Sequence, residues 1–149
     1  MDTQTPCAEL LLDNQLCFAL YSTSLQMTKI YKPLLQKLGL TYPQYLAMLV
    51  LWESDGITVG NLSSRLLTDP GSVTPLLKRL EAEGLLKRVR SSADERVVEL
   101  FLTEQGRSLH GEAKAVPACI LTATQHSAKE LSVLKAELLA LRSRLQHGA

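Results

Sequence analysis

The sequence predicts a mainly α-helical protein with a small β wing, built around a winged helix-turn-helix. Residues 58–103 hold a short amphipathic helix, a tight turn, a second helix and a basic hairpin, in that order. Each element alone is weak evidence, but their succession within one short segment is typical of a winged helix-turn-helix. Helices rich in apolar residues precede and follow the segment, and they predict a dimerisation region formed by the two ends of the chain.

The first helix of this unit is predicted over residues 59–67, because apolar side chains recur there at helical spacing with polar ones between them. Its inward positions are Val59, Leu62, Leu66 and Leu67. Residues 68–71, Thr-Asp-Pro-Gly, then combine a capping side chain, a fixed φ and a glycine. These features break a helix and reverse the chain, so a turn is predicted here.

The second helix is the predicted recognition helix. Pro75 has no N–H and is expected in a first turn, so the helix should begin near Gly71 or Ser72. Ser72 or Asp69 is then its N-cap, and Gly84 fits the position after its end. Its apolar stripe consists of Leu76, Leu77, Leu80 and Leu85. The side left exposed carries Ser72, Thr74, Lys78 and Arg79.

A basic hairpin is predicted after this helix. Three cations lead into a polar tip at residues 91–95, and a β-rich run returns over residues 97–102. The three cations are Lys87, Arg88 and Arg90. Asp94 is placed to hold the tip, through an Asx-type bond or by pairing with an arginine. Arg96, close to the tip, is placed to enter a minor groove of DNA.

These charges have a second interpretation, because charge runs usually form an ordinary solvated face. The succession of helix, turn, helix and hairpin favours DNA binding instead. Recognition helices use their N-terminal residues on base edges and their cations on phosphates. The predicted DNA-contacting residues are Ser72, Thr74, Lys78, Arg79, Arg88, Arg90, Asp94 and Arg96.

Length and composition predict one domain over residues 1–149, since a 46% hydrophobic content is enough for a core that needs no disulfide bonds or metal to stabilise it. Within it, residues 41–102 form the winged helix-turn-helix, and residues 8–38 and 103–147 form the dimerisation helices. The net charge of +1 is low for a nucleic-acid-binding protein, so the electrostatic footprint must be local. Residues 78–90 supply it, with five Lys or Arg against two Glu.

Several classes of protein are not expected. The amino terminus lacks the basic region of a signal peptide, and no apolar run approaches the ~20 residues that span a bilayer. A cytoplasmic protein with no membrane partner is therefore predicted. Three cysteines without a CxxC motif argue against a disulfide scaffold. His110, His126 and His147 share no metal-ligand spacing with the cysteines, so we expect neither a metal nor another cofactor.

The chain before the DNA-binding unit is predicted to form helices over residues 8–30 and from Pro33 to Gly39. The apolar run at residues 16–21 is too wide for a single stripe, which predicts burial on several sides, partly by a second subunit.

A third helix is predicted to begin after Thr41 as N-cap, with Pro43 in its first turn, and to end at Asp55-Gly56. Its predicted buried face is Tyr45, Leu46, Leu49, Val50 and Trp52.

Two helices are predicted after the hairpin. Thr103 is the N-cap of the first, and Pro117 should kink or break it. The last helix carries an a/d seam of Leu131, Leu134, Leu138, Leu141 and Leu145. The seam is shorter than the ~3 to 4 heptads of a free coiled coil, so it fits either a compact dimer with the N-terminal helix or a core stripe within one subunit. The excess of apolar surface at both chain ends favours the dimer.

Cys17 is the candidate reactive residue. Tyr21 stands four residues further on, so its hydroxyl shares a helix face with the sulfur and can reach it. Hydrogen bonds to a thiolate lower its pKa, and the thiolate is the species that attacks a peroxide. A cysteine on an apolar helix face can also be a small buried hydrophobe, and composition alone leaves both interpretations open.

Four stretches of the chain carry a family resemblance: DNQLCFALYSTSLQMTKIYKPLL, LTYPQYLAMLVLWE, SVTPLLKRLEAEGLLKR and DERVVELFLTEQG. They resemble the MarR family, and specifically its organic hydroperoxide resistance regulators (OhrR). The wing stretch marks MarR proteins broadly, whereas the cysteine segment together with TYPQY is much more specific. The resemblance extends from about Leu11 to the final helix.

The resemblance implies roles for particular residues. In that subfamily the cysteine matching Cys17 is the peroxide sensor, and tyrosines matching Tyr21, Tyr31 and Tyr42 hydrogen-bond near it. If residues 17–31 form one helix, Tyr31 lies ~21 Å along the axis from Cys17. The resemblance therefore implies that Tyr31 reaches across the dimer.

Some members of the subfamily also use a resolving cysteine in the C-terminal helical region of the other subunit. Cys119 lies in that region, with a buried structural cysteine as the alternative, and Cys7 is assigned no role. Pro70 and Ser72 depart from the residues that relatives commonly carry at the start of the recognition helix, so no operator preference is transferred.

The function implied is a homodimeric repressor that binds double-stranded operator DNA when reduced and leaves it when an organic hydroperoxide oxidises Cys17. The alternative is a MarR-type regulator released by a small aromatic ligand, with a structural Cys17. A thiol peroxidase is a third hypothesis. No enzyme is expected, because the sequence has no cysteine-centred loop with a neighbouring arginine and a DNA-binding unit has no catalytic purpose.

Overall fold

The computed structural model describes residue 5 and residues 7–148. Within them it has seven α-helices and one two-stranded antiparallel sheet, which confirms a mainly α-helical fold with a small β wing. In chain order the elements are α1 (Leu16–Gln36), α2 (Tyr42–Glu53), α3 (Val59–Arg65), α4 (Pro70–Ala82), β1 (Leu86–Arg90), β2 (Val98–Leu102), α5 (Glu104–Ala113), α6 (Val116–Thr124) and α7 (Ala128–His147). The chain divides into two compact units, one ending at Ala113 and the other beginning at Lys114.

Helix α1 differs from the prediction at both ends. Two 3-10 turns, Ala8–Leu10 and Leu12–Asn14, stand where its start was predicted, and neither buries a residue whose packing would stabilise a longer helix. Pro33 lies inside α1, so the separate short helix predicted to begin there is wrong. The proline removes one backbone hydrogen bond, and the burial of Leu35 in the core offsets that loss. The chain leaves the helix through Gly39, whose φ of +71° suits glycine.

Helix α2 packs against α1, α3, α4, α5 and β2. The predicted N-cap is confirmed: the Thr41 hydroxyl accepts from the Gln44 N–H at 3.3 Å, and the Gln44 side chain accepts from the Thr41 N–H at 2.9 Å. The predicted buried face is partly wrong, because Leu49 is exposed. The buried residues that the spacing missed are Gln44, Ala47, Met48 and Leu51. Almost every position of α2 is apolar, so spacing alone does not identify the buried side.

The turn between α3 and α4 forms as predicted, although both helix ends are displaced. Leu67 follows α3 with a φ of +57°, a left-handed conformation that ends the helix and is uncommon for leucine. The carboxylate of Asp69 then caps α4 by accepting from the Ser72 N–H at 3.0 Å. Helix α4 begins at Pro70, where the missing N–H has no cost. The prediction that Pro75 lies in the first turn is therefore wrong, since it stands in the second.

The predicted hairpin is confirmed as strands β1 and β2, which pair antiparallel along their whole length. The segment before α3 extends the sheet, because the Gly56 N–H donates to the Leu100 carbonyl at 2.9 Å and the Leu100 N–H donates to the Ile57 carbonyl at 2.8 Å. Gly84 has a φ of +79° at the end of α4, as predicted from its position. The core between helices and sheet is formed by residues such as Leu62, Leu77, Leu80, Leu86 and Leu100.

Trp52, in the last turn of α2, and Asp55, just after it, connect this helix to α5 and to the base of the wing. The Asp55 carboxylate accepts from the Leu102 N–H at 2.8 Å, and the Trp52 indole N–H donates to the Gly106 carbonyl at 2.9 Å. A β-carbon on Gly106 would overlap the Leu85 carbonyl, so α5 approaches the wing only because this residue is glycine. The orientation of the hairpin is therefore fixed by contacts with α2 and α5.

The second unit contains α6 and α7. Pro117 stands in the first turn of α6, and α5 ends before it, so the predicted break is confirmed. Ser127 caps α7 in a reciprocal pair with Glu130. Helix α7 buries none of its residues, and Leu134, Leu138 and Leu145 of the predicted seam are exposed. None of the helices that the structure describes has both the length and the apolar character to cross a membrane.

Candidate nucleic-acid interface and sensor cysteine

The exposed side of α4 carries the residues predicted for DNA recognition. The helix buries Val73, Leu77 and Leu80, and this anchors it while Lys78 and Arg79 remain exposed. Ser72 and Thr74 stand in the first turns, where the Ser72 hydroxyl donates to Asp69 and the Thr74 hydroxyl donates to the Pro70 carbonyl, both at 3.0 Å. These bonds set the direction of both hydroxyls before any DNA is bound.

The tip of the wing is held by Asp94 and Arg96. The Asp94 carboxylate accepts from the Arg96 backbone N–H at 3.1 Å and from its guanidinium at 3.1 and 3.2 Å. The Asx-type bond and the arginine pair considered from the sequence are thus both present. These bonds, the side-chain one first, hold the pKa of Asp94 below its usual value. The Arg96 side chain remains 90% exposed, so its charge is oriented but still available to a ligand.

Two further arginines of the wing are bonded within the protein. The Arg88 backbone N–H and guanidinium donate to the Glu81 carboxylate at 2.8, 3.2 and 3.0 Å. The pKa of Glu81 is lowered by these hydrogen bonds, the backbone one first. Arg90 donates to the Glu95 carbonyl at 3.0 Å. Arg88 therefore ties the wing to the recognition helix, and its contact with DNA stays a prediction.

A cleft of about 430 Å³ brings several of these residues together. It lies between the start of α3, helix α4 and the wing, and Thr74, Arg88 and Arg96 are among its lining residues. Three residues that are up to 22 positions apart in the sequence thus border one surface. The glutamate at position 81 and the cap at Asp69, which orient this surface, were not predicted as site residues.

Cys17 lies in the first turn of α1 with its side chain exposed, and Tyr21 follows one helical turn later with 62% of its surface exposed. Cys7 and Cys119 are also exposed free thiols. Cys119 lies on α6 in the second unit, and Cys7 donates to the Glu9 carboxylate at 2.7 Å. No group of three or more His, Cys, Asp or Glu side chains in the described part of the chain is arranged to hold a metal.

Three tyrosines form a cluster between α1 and α2. The ring centroids of Tyr31 and Tyr42 lie 5.0 Å apart, and Tyr45 lies 5.9 Å from Tyr31 and 6.4 Å from Tyr42. Burial, together with the two neighbouring phenols, raises the pKa of Tyr31 to about 12. The sequence placed Tyr45 only in the core. Its spacing of three residues from Tyr42 was the signal that the two rings share a helix face.

The structure separates Cys17 from this cluster within one chain. Helix α1 is unbroken from Leu16 to Gln36, so Cys17 and Tyr31 lie ~21 Å apart along its axis at about 1.5 Å per residue. Residues 17–31 thus form one helix, which is the condition on which the cross-dimer interpretation depended. In one chain, Cys17 lies far from the two candidate hydrogen-bond donors, Tyr31 and Tyr42.

Comparison with known proteins finds transcriptional regulators. The family model described as transcriptional regulator SarA/Rot matches residues 29–112. The chain is 50% identical over 130 residues to the organic hydroperoxide resistance transcriptional regulator of Bacillus subtilis (strain 168), which covers 87% of this chain and 88% of that protein.

Solved structures of AbfR, a protein of Staphylococcus epidermidis, are also similar. Reduced AbfR bound to DNA matches with a TM-score of 0.76 at 31% identity, over 90% of this chain and 94% of that chain. Disulfide-formed AbfR matches with a TM-score of 0.63 at 33% identity, over 91% and 90%. The fold and these relatives show that the chain belongs to the MarR family of winged-helix, DNA-binding transcriptional regulators, in its organic hydroperoxide resistance (OhrR) subfamily.

Proposed function

We propose that the protein is a homodimeric repressor that binds operator DNA while Cys17 is reduced and dissociates when an organic hydroperoxide oxidises it. The observation that carries the proposal is that Cys17 and Tyr31 lie towards opposite ends of one continuous helix, α1, while Tyr42 of α2 packs against Tyr31. Two chains in an antiparallel arrangement of α1 would bring each cysteine to the tyrosines of the other chain. The relative from Bacillus subtilis, named for organic hydroperoxide resistance, supports the class of inducer.

The exposed apolar surface supports a dimer. In α1 only Leu35 is buried, and a helix with so many uncovered apolar side chains is expected to pack against a partner. Its exposed apolar residues are Leu16, Phe18, Leu20, Tyr21, Leu25, Met27 and Ile30. The seam of α7 supplies a second uncovered apolar surface. A second copy of the chain is the proposed partner for both.

The chemistry assigned to Cys17 is a two-electron oxidation. Its thiolate attacks the outer oxygen of the hydroperoxide, the O–O bond breaks, and the leaving alkoxide takes up a proton to become an alcohol. Cysteine is left as sulfenic acid. A second thiol then attacks this sulfur, water leaves, and a disulfide forms. Cys119 of the partner subunit, or a small thiol, is the proposed second thiol.

Release of DNA follows from the loss of the thiolate. Hydroxyls of Tyr21, Tyr31 and Tyr42 are proposed to donate to the sulfur, and oxidation removes the charge that holds them. Because α1 and α2 carry these tyrosines, and α2 also packs against the recognition helix α4 and strand β2 of the wing, their movement shifts the two recognition helices. Half-sites one turn apart, ~34 Å, tolerate little change in that spacing.

A gel shift on the DNA upstream of the regulated gene tests the proposal, with wild type, Cys17→Ser and a matched Cys7→Ser control. Serine keeps the size of the side chain but forms no sulfenic acid, so Cys17→Ser should bind when reduced and remain bound in organic hydroperoxide. Wild type and Cys7→Ser should both dissociate, and dithiothreitol should restore binding. Release of Cys17→Ser at the same peroxide dose would exclude Cys17 as the sensor.

The alternative, a regulator released by a small aromatic ligand, is favoured by one feature of the structure. A largely apolar cleft of about 520 Å³ lies between α1 and α2, with Leu25, Leu35 and Tyr42 among its lining residues. An aromatic inducer would release Cys17→Ser and wild type equally, without an oxidant. Consumption of peroxide beyond one equivalent per chain in the presence of a recycling thiol would instead indicate a thiol peroxidase.

A further inference from the structure

Tyr45 is the buried member of the tyrosine cluster. It follows Tyr42 by three residues on α2, so both rings project from one face of the helix towards Tyr31 on α1. Only 4% of Tyr45 is exposed, whereas Tyr31 and Tyr42 are each partly exposed. Its ring contacts both of the others, at centroid distances of 5.9 and 6.4 Å. Tyr45 therefore forms the back of the cluster, and the two proposed thiolate donors form its front.

We propose that Tyr45 is a positioning residue of the peroxide sensor, whose buried ring fixes the orientation of the Tyr31 and Tyr42 rings and so directs their hydroxyls at Cys17 of the partner subunit. This inference rests on the proposed function, because it assigns a purpose to the hydroxyls only if Cys17 is the sensor. It goes beyond that function by assigning a role to a residue that does not itself reach the sulfur.

Ring packing can supply this control. Aromatic rings with centroids 4.5–7 Å apart attract one another in tilted arrangements, and the three interplanar angles here, 52°, 46° and 40°, are of that type. A phenol hydroxyl stands at the far end of its ring, so a small change in χ1, which swings the whole ring, displaces it by more than a hydrogen bond tolerates. Removing the Tyr45 ring would open space behind Tyr31 and Tyr42 and allow both to adopt other rotamers.

The Tyr31 phenol is also suited to act as a donor. The pKa of Tyr31 is about 12, raised by burial and by the Tyr42 and Tyr45 phenols, and burial likewise raises the pKa of Tyr45. Phenols that remain protonated throughout the working range of pH can donate to a thiolate and cannot compete with it as anions. Correctly directed hydrogen-bond donors favour the charged form of a thiol.

The experiment measures the rate of alkylation of Cys17 by iodoacetamide against pH in the full-length dimer, with the modified peptide identified by mass spectrometry. Tyr45→Leu, which removes the ring, should raise the midpoint of the profile by roughly 0.5–1 pH unit and slow oxidation several-fold below that midpoint. Tyr45→Phe, which keeps the ring, should retain the wild-type midpoint. Tyr31→Phe is the positive control and should raise the midpoint.

Val50→Ala is the matched control, because Val50 is buried further along the same helix and its truncation loosens α2 without removing a tyrosine. It should leave the midpoint unchanged. An unshifted midpoint in folded Tyr45→Leu overturns the inference, as do equal shifts in Tyr45→Leu and Tyr45→Phe or a shift in Val50→Ala. If Tyr45→Leu fails to fold, Tyr45→Met replaces it and carries the same expectation, since methionine fills space without a rigid ring.

Failure of this inference differs from failure of the proposed function. Should Cys17→Ser still release DNA in peroxide, the sensor assignment fails and the midpoint has no regulatory meaning. Should Cys17 prove to be the sensor while Tyr45→Leu keeps the wild-type midpoint, only the role of Tyr45 is lost.

Discussion

The DNA-binding unit and the proposed sensor region, which consists of Cys17 and the tyrosines of α1 and α2, differ in how much of each is completed by a single chain. In the DNA-binding unit, the polar groups that shape the surface are bonded within the chain, as in Glu81–Arg88, Asp94–Arg96, Asp69–Ser72 and Asp55–Leu102. In the sensor region, α1 buries one residue of its 21, and Cys17 stands far from Tyr31.

The difference indicates how the two regions are coupled in the proposed repressor. A DNA-binding unit whose hydrogen bonds are internal keeps its shape in any assembly. The affinity of the dimer for DNA therefore changes mainly when the two DNA-binding units move relative to each other. A sensor that two chains must complete exists only in the dimer. Oxidation at that sensor then changes the arrangement of the subunits. Binding to two half-sites depends on this arrangement, because it sets the distance between the two recognition helices.

The largest expected effect comes from breaking the proposed dimer. Leu138→Glu places a charge in the α7 seam, where Leu138 is exposed in one chain, and it should convert the dimer to a monomer. Affinity for an operator with two half-sites should fall roughly a hundredfold or more, because the two recognition helices then belong to separate chains and must bind independently. Light scattering and a binding titration check both results. Ala136→Glu, on the exposed side away from the seam, is the control and should remain dimeric; a dimeric Leu138→Glu with normal affinity would contradict the prediction.

The next effect tests whether the wing is held by packing within one chain. Gly106→Ala forces a β-carbon into the Leu85 carbonyl and should destabilise the protein by roughly 1–3 kcal/mol, with loss of wing order. Gly111→Ala is the matched control on the same helix, where a β-carbon meets open space, and it should stabilise by about 0.5–1 kcal/mol. Thermal unfolding measures both. Equal effects of the two substitutions would show that α5 does not pack on the wing in this way.

A smaller effect is expected at the wing tip. Arg96→Ala should weaken binding across all DNA sequences and reduce the slope of log affinity against log salt by about one, the value for one lost phosphate contact. Arg142→Ala removes the same charge from the exposed surface of α7 and should leave the slope unchanged. Fluorescence anisotropy at several salt concentrations gives the slopes. If the slopes of both variants match that of wild type, the wing lies outside the interface.

The smallest effect concerns the cap of the recognition helix. Hydrogen bonds from the Ser72 side chain and N–H hold the pKa of Asp69 below its value in the unfolded chain. The folded state therefore favours the carboxylate, and this stability is present above the unfolded pKa and lost as the pH falls through the folded pKa. Asp69→Asn keeps an oxygen acceptor but does not titrate. The stability difference between wild type and Asp69→Asn should shrink on lowering the pH from about 7 to about 3, and a difference independent of pH in thermal melts would contradict the assignment.

Local elements of this fold were predictable because they depend on neighbouring residues. Thr41 and Asp69 cap their helices through bonds to N–H groups three residues away, and Gly84 ends α4 because glycine tolerates a positive φ. The wing tip is equally local, because Asp94 bonds to Arg96 only two residues away. The sensor role of Cys17 and the roles of its tyrosines were inferred from the family resemblance of their segments, and they stay predictions.

The tertiary structure decided what local rules left open. Pro33 and Pro75 both lie within helices, because packing of residues such as Leu35 and Leu77 offsets a missing hydrogen bond that local propensity treats as a stop. The grouping of Tyr45 with Tyr31 depends on the angle at which α1 meets α2. Such an arrangement reflects a packing free energy shared by many distant residues, whereas a cap or a turn depends on the few bonds that the nearest residues can make.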